Sequence, residues 1–385
     1  MGDHLKNKHF ETRAIHLGQV AEDGTRSVTT AIYPSSTYRV EYPGDESGYV
    51  YSRWSNPTRK ALEETLASLE NGTRAFAFSS GLAAINAVFG LLRPGDHVVT
   101  LTDLYGGTRR QFERVLKNYQ IEFSYVDGRN PEDFEGAVTD KTKLFWLETP
   151  TNPLLNLIDI AKVAAIAKKH NVLTAVDNTF ATPYIQKPLD LGADIAHHSA
   201  SKYLGGHCDL IAGVLVVKDK DLAEQLYFQQ YAVGAQLNPF ESWLMLRGIK
   251  TLHVRMERHS VNSMKIAEYL ESEPMVDRVY YPGIDGKPVP NEMKMPGGMV
   301  SFTIKDADFE RVKKFAMSTK IFVLAESLGG VESLINHPAS MTHASIPKEV
   351  REKHGVTDNL IRLSVGIEHI DDLLIDLRTA FAAIK

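Results

Sequence analysis

One cysteine, Cys208, stands among 385 residues. No intrachain disulfide can form, and a reducing compartment is the expectation. Long hydrophobic runs are missing too. The longest aliphatic stretch, Leu210 to Val217, is bounded by Asp209 and Lys218 and is too short to span a bilayer. The opening segment, Met1 to Phe10, lacks the apolar core of a signal peptide. Neither sign of charge dominates: 43 basic and 48 acidic residues give a net −5. That argues against a dominant footprint for nucleic acid or anionic lipid. There is no internal repeat, no Gly-x-Gly-x-x-Gly after an early strand, no Walker-type loop and no His-Glu-x-x-His. These absences leave a cytoplasmic globular protein that binds neither membrane nor nucleic acid. Its length implies roughly two or three domains.

The chain divides by pattern. Residues 1–55 show little periodicity and read as an extended N-terminal arm. Thr58 is placed to cap a helix with Leu62, Leu66 and Leu69 on one face, ending at Asn71-Gly72. Apolar strands at 75–78, 97–101, 121–126, 143–147, 172–176, 195–198 and 211–217 then alternate with helices at about 82–92, 108–117 and 158–169. Strands this apolar predict a mostly parallel sheet covered on both faces, an α/β fold. Past Pro239 the pattern changes to a long helical segment at 241–271, strands near 299–304 and 361–365, and a closing helix at 371–383. The expected division is arm 1–55, large domain 56–237 and smaller C-terminal α+β domain 238–385.

In open α/β sheets, ligands bind beyond the carboxyl ends of the strands. Here those ends carry Ser79-Ser80-Gly81 opening a helix, Tyr105-Gly106-Gly107, Glu148 with Thr151-Asn152-Pro153, Asp177-Asn178-Thr179, and Ser199, Ser201 and Lys202. Singly, each has an ordinary explanation as a cap, a turn or a solvated side chain. Jointly they match what pyridoxal phosphate demands. Lys202 offers the amine for its aldehyde, and Asp177 a carboxylate for the pyridine nitrogen. Gly81 and Leu82 supply backbone N–H groups for the phosphate, Ser199 and Ser201 supply hydroxyls, and Tyr105 supplies a ring to stack. A metal cluster of His197, His198, His207, Cys208 and Asp209 is disfavoured, because adjacent strand residues face opposite ways.

The run His198-Ser199-Ala200-Ser201-Lys202-Tyr203-Leu204-Gly205-Gly206-His207 resembles the lysine signature of the cystathionine γ-synthase family, the Cys/Met-metabolism enzymes. Tyr51-Ser52-Arg53-x-x-Asn56-Pro57-Thr58, Tyr105 to Thr108, Glu148 to Pro153, Val176 to Phe180 and Arg362 to Glu368 are similar to further family motifs. The likeness runs from Thr12 to the last helix, with Ser55 where the family has Gly and Leu82 where it has Met.

The resemblance implies a type I pyridoxal-phosphate transferase fold and a homotetramer built as a dimer of dimers. It implies that Tyr51 and Arg53 reach the cofactor phosphate of a neighbouring subunit, and that Thr179 joins Asp177 at the cofactor. Arg362, Asn152 and the backbone around Ser327 would receive the substrate α-carboxylate. Glu326 would receive the distal ammonium of cystathionine or the amine of cysteine, Arg110 would meet the distal carboxylate, and Tyr105 would protonate the leaving group. The implied activity is γ-elimination or γ-replacement on sulfur amino acids, with cystathionine γ-lyase placed just ahead of cystathionine γ-synthase. Methionine γ-lyase follows, disfavoured by Gly107, where those enzymes carry cysteine, and a β-lyase is expected less. A non-catalytic binding module is disfavoured by the intact Lys202, Asp177, Tyr105 and Arg362.

Overall fold

A computed structural model describes residues 3–18, 25–284, 286, 289 and 293–385. Residues 1, 2 and 19–24 of the expected arm lie outside the described residues. Seven strands build the larger sheet: β1 (Arg74–Phe78), β2 (His97–Leu101), β3 (Glu122–Val126), β4 (Thr142–Glu148), β5 (Leu173–Asp177), β6 (Ile195–Ser199) and β7 (Gly213–Val217). Their spatial order is β1-β7-β6-β5-β4-β2-β3. Only β7 runs against its neighbours, so the carboxyl ends of the other six share one edge.

Alternation along β4 shows why this sheet is buried on both faces. Leu144 and Trp146 pack with Phe89 and Phe112 on one side, while Phe145 and Leu147 pack with Phe134 and Val163 on the other. Each large side chain fully buried in this way contributes about 2 kcal/mol. The family-type α/β fold expected from the sequence is therefore present.

A smaller sheet holds β8 (Val276–Tyr280), β9 (Met299–Ile304), β10 (Val323–Leu324), β11 (Leu334–Asn336) and β12 (Leu360–Ser364), in the order β10-β11-β12-β9-β8. The closing helix Ile370–Ala383 covers it with Leu373, Leu377 and Phe381.

Local expectations change in three places. The arm is not extended at its start: Phe10–His16 is helical, with Phe10 and Ala14 buried in a core shared with Leu62 and Leu66. The helix Pro57–Leu69 is capped by Asn56, whose Oδ1 accepts from the N–H groups of Thr58 and Arg59. Thr58 instead ties down the arm, its hydroxyl bonding Ala31 C=O and Tyr33 N–H. The long helical segment is two helices, Pro239–Ile249 and Leu252–Ser272. Arg255 Nη2 donates at 2.8 Å to the Gly248 carbonyl, one of those that the end of the first helix leaves without an intrahelical partner. That first helix packs Met245 and Leu246 into the same core as Leu62.

Candidate active site

The strand ends converge on a cavity of about 720 Å³. β1 runs into the helix Gly81–Phe89, whose N-cap is Ser80, with Oγ accepting from Ala83 N–H at 3.0 Å. The Gly81 and Leu82 N–H groups belong to the first turn and have no partner within the helix. Gly81 permits a close approach: a Cβ there would lie 3.0 Å from Ser199 Cβ and 3.1 Å from its Oγ. A helix start whose first amides have no partner within the helix, set beside a serine hydroxyl, makes a site that suits a phosphate. Ser201 also lines the cavity, although its hydroxyl already bridges the Ala212 N–H and C=O.

Asp177 ends β5 and is nearly sealed from solvent. Thr179 donates to its Oδ1 through both N–H, at 3.1 Å, and Oγ1, at 2.5 Å. Its Oδ2 sits 3.2 Å from His197 Nδ1, while His197 Nε2 bonds the Gly81 carbonyl at 3.1 Å. Burial alone would raise the Asp177 carboxyl. The His197 imidazole and the Thr179 donors outweigh burial and hold it below its ordinary value, so it stays ionised. Its neighbour in register, Glu148, goes the other way: burial and then the Asp177 charge push it well above the carboxylate range. Glu148 Oε2 accepts the Tyr105 N–H at 2.8 Å and so fixes the turn that carries the Tyr105 ring.

Lys202 follows β6 in a tight turn braced from behind. Arg255 Nη1 donates to Tyr203 C=O at 2.7 Å. Gly329, at φ +77°, lets the loop after β10 come so near that a Cβ would be 2.7 Å from Tyr203 N. On that loop Ser327 Oγ accepts from Lys202 Nζ at 2.6 Å. Burial and then the Arg362 charge lower the Lys202 amine to about 8.

Arg362 on β12 is 1% exposed. Its Nη1 donates to Asn152 Oδ1 at 2.8 Å and its Nη2 to Ser327 C=O at 2.9 Å. Burial pulls its pKa to about 10, which leaves it cationic near neutrality. Its Nε is buried with no partner, so the cation still seeks an acceptor. Tyr105, Arg110 and Glu326 border the same cavity, and both Arg110 and Glu326 act electrostatically on Tyr105. An amine, an ionised carboxylate, an aromatic ring and an anion-binding helix start therefore surround one space, with an under-satisfied guanidinium across it.

The family's sequence profile, Cys/Met metabolism PLP-dependent enzyme, matches residues 11–382. The chain belongs to that family. As a Cys/Met-metabolism enzyme it uses pyridoxal phosphate, and the donor set above fits that group. It is 52% identical over 381 residues to a cystathionine beta-lyase of Coxiella burnetii, covering 97% of this chain and 98% of that one. It is 50% identical over 374 residues to a cystathionine gamma-lyase of Bacillus subtilis, with 96% and 98% covered. Among solved structures, cystathionine gamma-lyase from Lactobacillus plantarum complexed with L-serine superposes at a TM-score of 0.95, with 48% identity and 98% and 99% coverage.

Two residues from the sequence reading stand apart. Tyr51 and Arg53 do not border this chain's cavity. Arg53 Nη1 donates instead to Tyr231 C=O at 2.7 Å. Others went unnoticed in the sequence. His197 appeared only as an unlikely metal ligand, yet the register Asp177↔His197 pairs the two. His198 faces away and meets buried Glu70 at 2.6 Å. Among the described residues no group of three or more histidine, cysteine or acidic side chains is placed to hold a metal. No helix among them is long and apolar enough to cross a membrane.

Proposed function

We propose that the protein is a cystathionine lyase that cleaves the Cγ–S bond, releasing cysteine, 2-oxobutanoate and ammonia. The observation that carries this reading is the arrangement of charges in one cavity, with buried Arg362 at one end and Glu326 and Arg110 also at its wall. A substrate with an amino-acid group at each end suits that pattern. Its α-carboxylate accepts from Arg362, whose planar fork matches a carboxylate, while Asn152 and the Ser327 carbonyl orient the guanidinium. The distal ammonium faces Glu326 and the distal carboxylate faces Arg110.

The cofactor, when bound, binds the substrate amine through its aldehyde carbon and lets its ring accept the electrons released at Cα. Gly81, Leu82, Ser199 and Ser201 would hold its phosphate, and ionised Asp177, braced by Thr179 and His197, would keep the ring nitrogen protonated. Lys202, with its amine lowered towards neutrality, would take the proton from Cα, pass it to the cofactor carbon that bears the substrate amine, and, freed of it, take one from Cβ. Ser327 Oγ accepts from the amine between these steps and holds it in place. Tyr105, whose phenol burial holds protonated, gives its proton to the departing sulfur.

Gly107 speaks against a methionine-specialised enzyme, since enzymes of that kind usually carry cysteine there, and a Cβ at this position would stand 2.4 Å from the Tyr105 ring as placed here. The Coxiella relative favours a second reading, cleavage of the Cβ–S bond to homocysteine, pyruvate and ammonia. Incubation with L-cystathionine and identification of the 2-oxo acid decides between them. 2-Oxobutanoate supports the γ-lyase, and pyruvate overturns it in favour of the β-lyase. Fast cystathionine synthesis from an O-acylhomoserine and cysteine, with negligible cleavage, would mean a γ-synthase.

The same reading includes a homotetramer in which Tyr51 and Arg53 act in trans. The absence of this pair from its own cavity supports that arrangement, as does the exposure of Ile211 (67%) at the cavity rim. Light scattering tests the assembly.

A further inference from the structure

Arg59 takes no part in the chemistry above, yet it is 2% exposed and among the largest side chains sealed in the protein. Its guanidinium donates to three successive main-chain carbonyls. Nη1 reaches Ser52 at 2.8 Å, and Nη2 reaches Trp54 at 3.1 Å and Arg53 at 3.4 Å. Asn56 adds a second hold, its Nδ2 donating to Ser52 Oγ at 3.1 Å while its Oδ1 caps the helix that carries Arg59. Behind the guanidinium, Nε lies 3.6 Å from Glu63 Oε1. That oxygen also accepts from Ala77 N–H in β1 and from Gln230 Nε2, both at 2.9 Å. A rigid planar cation aimed at three carbonyls fixes a turn in one conformation, which a flexible point charge cannot do. The turn so fixed holds Tyr51 and Trp54 at the surface, each 40% exposed.

We propose that Arg59 is a positioning residue for a neighbouring copy's cofactor site. By clamping the carbonyls of Ser52, Arg53 and Trp54, it sets the direction in which Tyr51 and Arg53 meet the phosphate of that copy's cofactor. The inference rests on the trans arrangement proposed above. Neither Arg59 nor Glu63 borders the cavity that holds Lys202 in its own chain. Loss of the clamp therefore damages the pocket opposite and spares the pocket at home.

Mixed oligomers test this. Arg59→Met and Lys202→Ala chains are co-expressed with different tags and mixed species are isolated. Where the two chains pair, the pocket with Lys202 belongs to the Arg59→Met chain and receives its turn from a chain with Arg59 intact. Pyridoxal phosphate is titrated into the cofactor-free protein and the visible band of the lysine-bound form is followed. Oligomers of Arg59→Met alone should bind it about tenfold more weakly than wild type, the scale of a lost charge-assisted anchor. The mixed species should regain a class of sites within about twofold of wild type. Wild type mixed with the double variant Arg59→Met/Lys202→Ala should show a weakened class.

Wild-type binding by Arg59→Met alone overturns the proposal. So does the reverse pattern, no rescue in the first mixture and no weakened class in the second, which places the effect in the home pocket through β1. Arg53→Ala paired with Lys202→Ala separates the two ideas. If that pair is not rescued, the trans reading itself fails; if it is rescued and Arg59→Met is not, only the role of Arg59 fails. Should Arg59→Met not fold, Arg59→Lys goes through the same pairings, because it keeps the charge beside Glu63 but not the fork across three carbonyls.

Discussion

Lys202 Nζ donates to Ser327 Oγ at 2.6 Å, joining the turn after β6 of the large sheet to the loop after β10 of the small one. Ser327 holds φ +86°, a conformation rare outside glycine, and the same residue turns its carbonyl to Arg362 Nη2. One strained residue thereby sets both the resting place of the amine and the pose of the carboxylate-binding cation.

On the roles proposed above, replacing Lys202 by Ala would remove both the amine that holds the cofactor and the group that moves protons. Cleavage of cystathionine should fall by at least about a thousandfold. The visible band of the lysine-bound cofactor should vanish while circular dichroism stays that of the wild type. A surviving band would remove Lys202 from the account.

Arg362→Ala leaves the substrate α-carboxylate without its charged partner. KM for cystathionine should rise about a hundredfold, the scale of a buried charge pair broken on one side. Cofactor titration should change little. Equal KM values in variant and wild type would place the carboxylate elsewhere.

Glu326→Ala should act only on substrates with a distal ammonium. KM for cystathionine should rise about tenfold, consistent with one charge-assisted contact, and a substrate without that ammonium should be unaffected. Steady-state comparison of the two separates recognition from damage to the pocket.

Glu148 is pushed well above the carboxylate range by burial and then by Asp177. Glu148→Gln should retain cofactor binding and turnover within about threefold, because an amide still accepts the Tyr105 N–H. Glu148→Ala should weaken both by freeing the Tyr105 turn. A severe Gln phenotype would show that the carboxyl acts ionised.

The Lys202 amine titrates near 8 in the fold, against an ordinary 10.5. Below pH 8 the folded protein bears the full cost of a buried ammonium, on the order of 2 kcal/mol after allowance for partial exposure. Between 8 and 10.5 the unfolded chain binds more protons, so stability rises with pH and the cost is gone above 10.5. Cofactor-free Lys202→Met should therefore be more stable than cofactor-free wild type at pH 7. Urea melts across pH should show the gap closing from 8 upward; a pH-independent gap refutes the assignment.

Much of this was legible in order of residues. Apolar runs such as 143–147 could only be strands buried on both sides, and every second residue of β4 does go to the opposite core. Helices with broken apolar patterns were harder. Lys220–Val233, with Asp219 as its cap, alternates apolar residues with Glu and Gln because only one narrow face meets the sheet. The cap of the first long helix was misassigned because two polar residues flanking Pro57, Asn56 and Thr58, could each accept, and only the path of the arm sends Thr58 to Ala31.

The sequence by itself determined that this chain has a single thiol, no membrane run and five chemically apt strand ends, because residue type and period are local properties. Tertiary structure decided which of those ends face one another. It put His197 against Asp177 and raised the Glu148 carboxyl, first by burying it and then by placing it beside that charge. It aimed Ser327 at Lys202 across 125 positions and kept Tyr51 and Arg53 away from their own cavity. Such facts depend on register and loop closure, which relate residues far apart in the chain, and no local pattern encodes them.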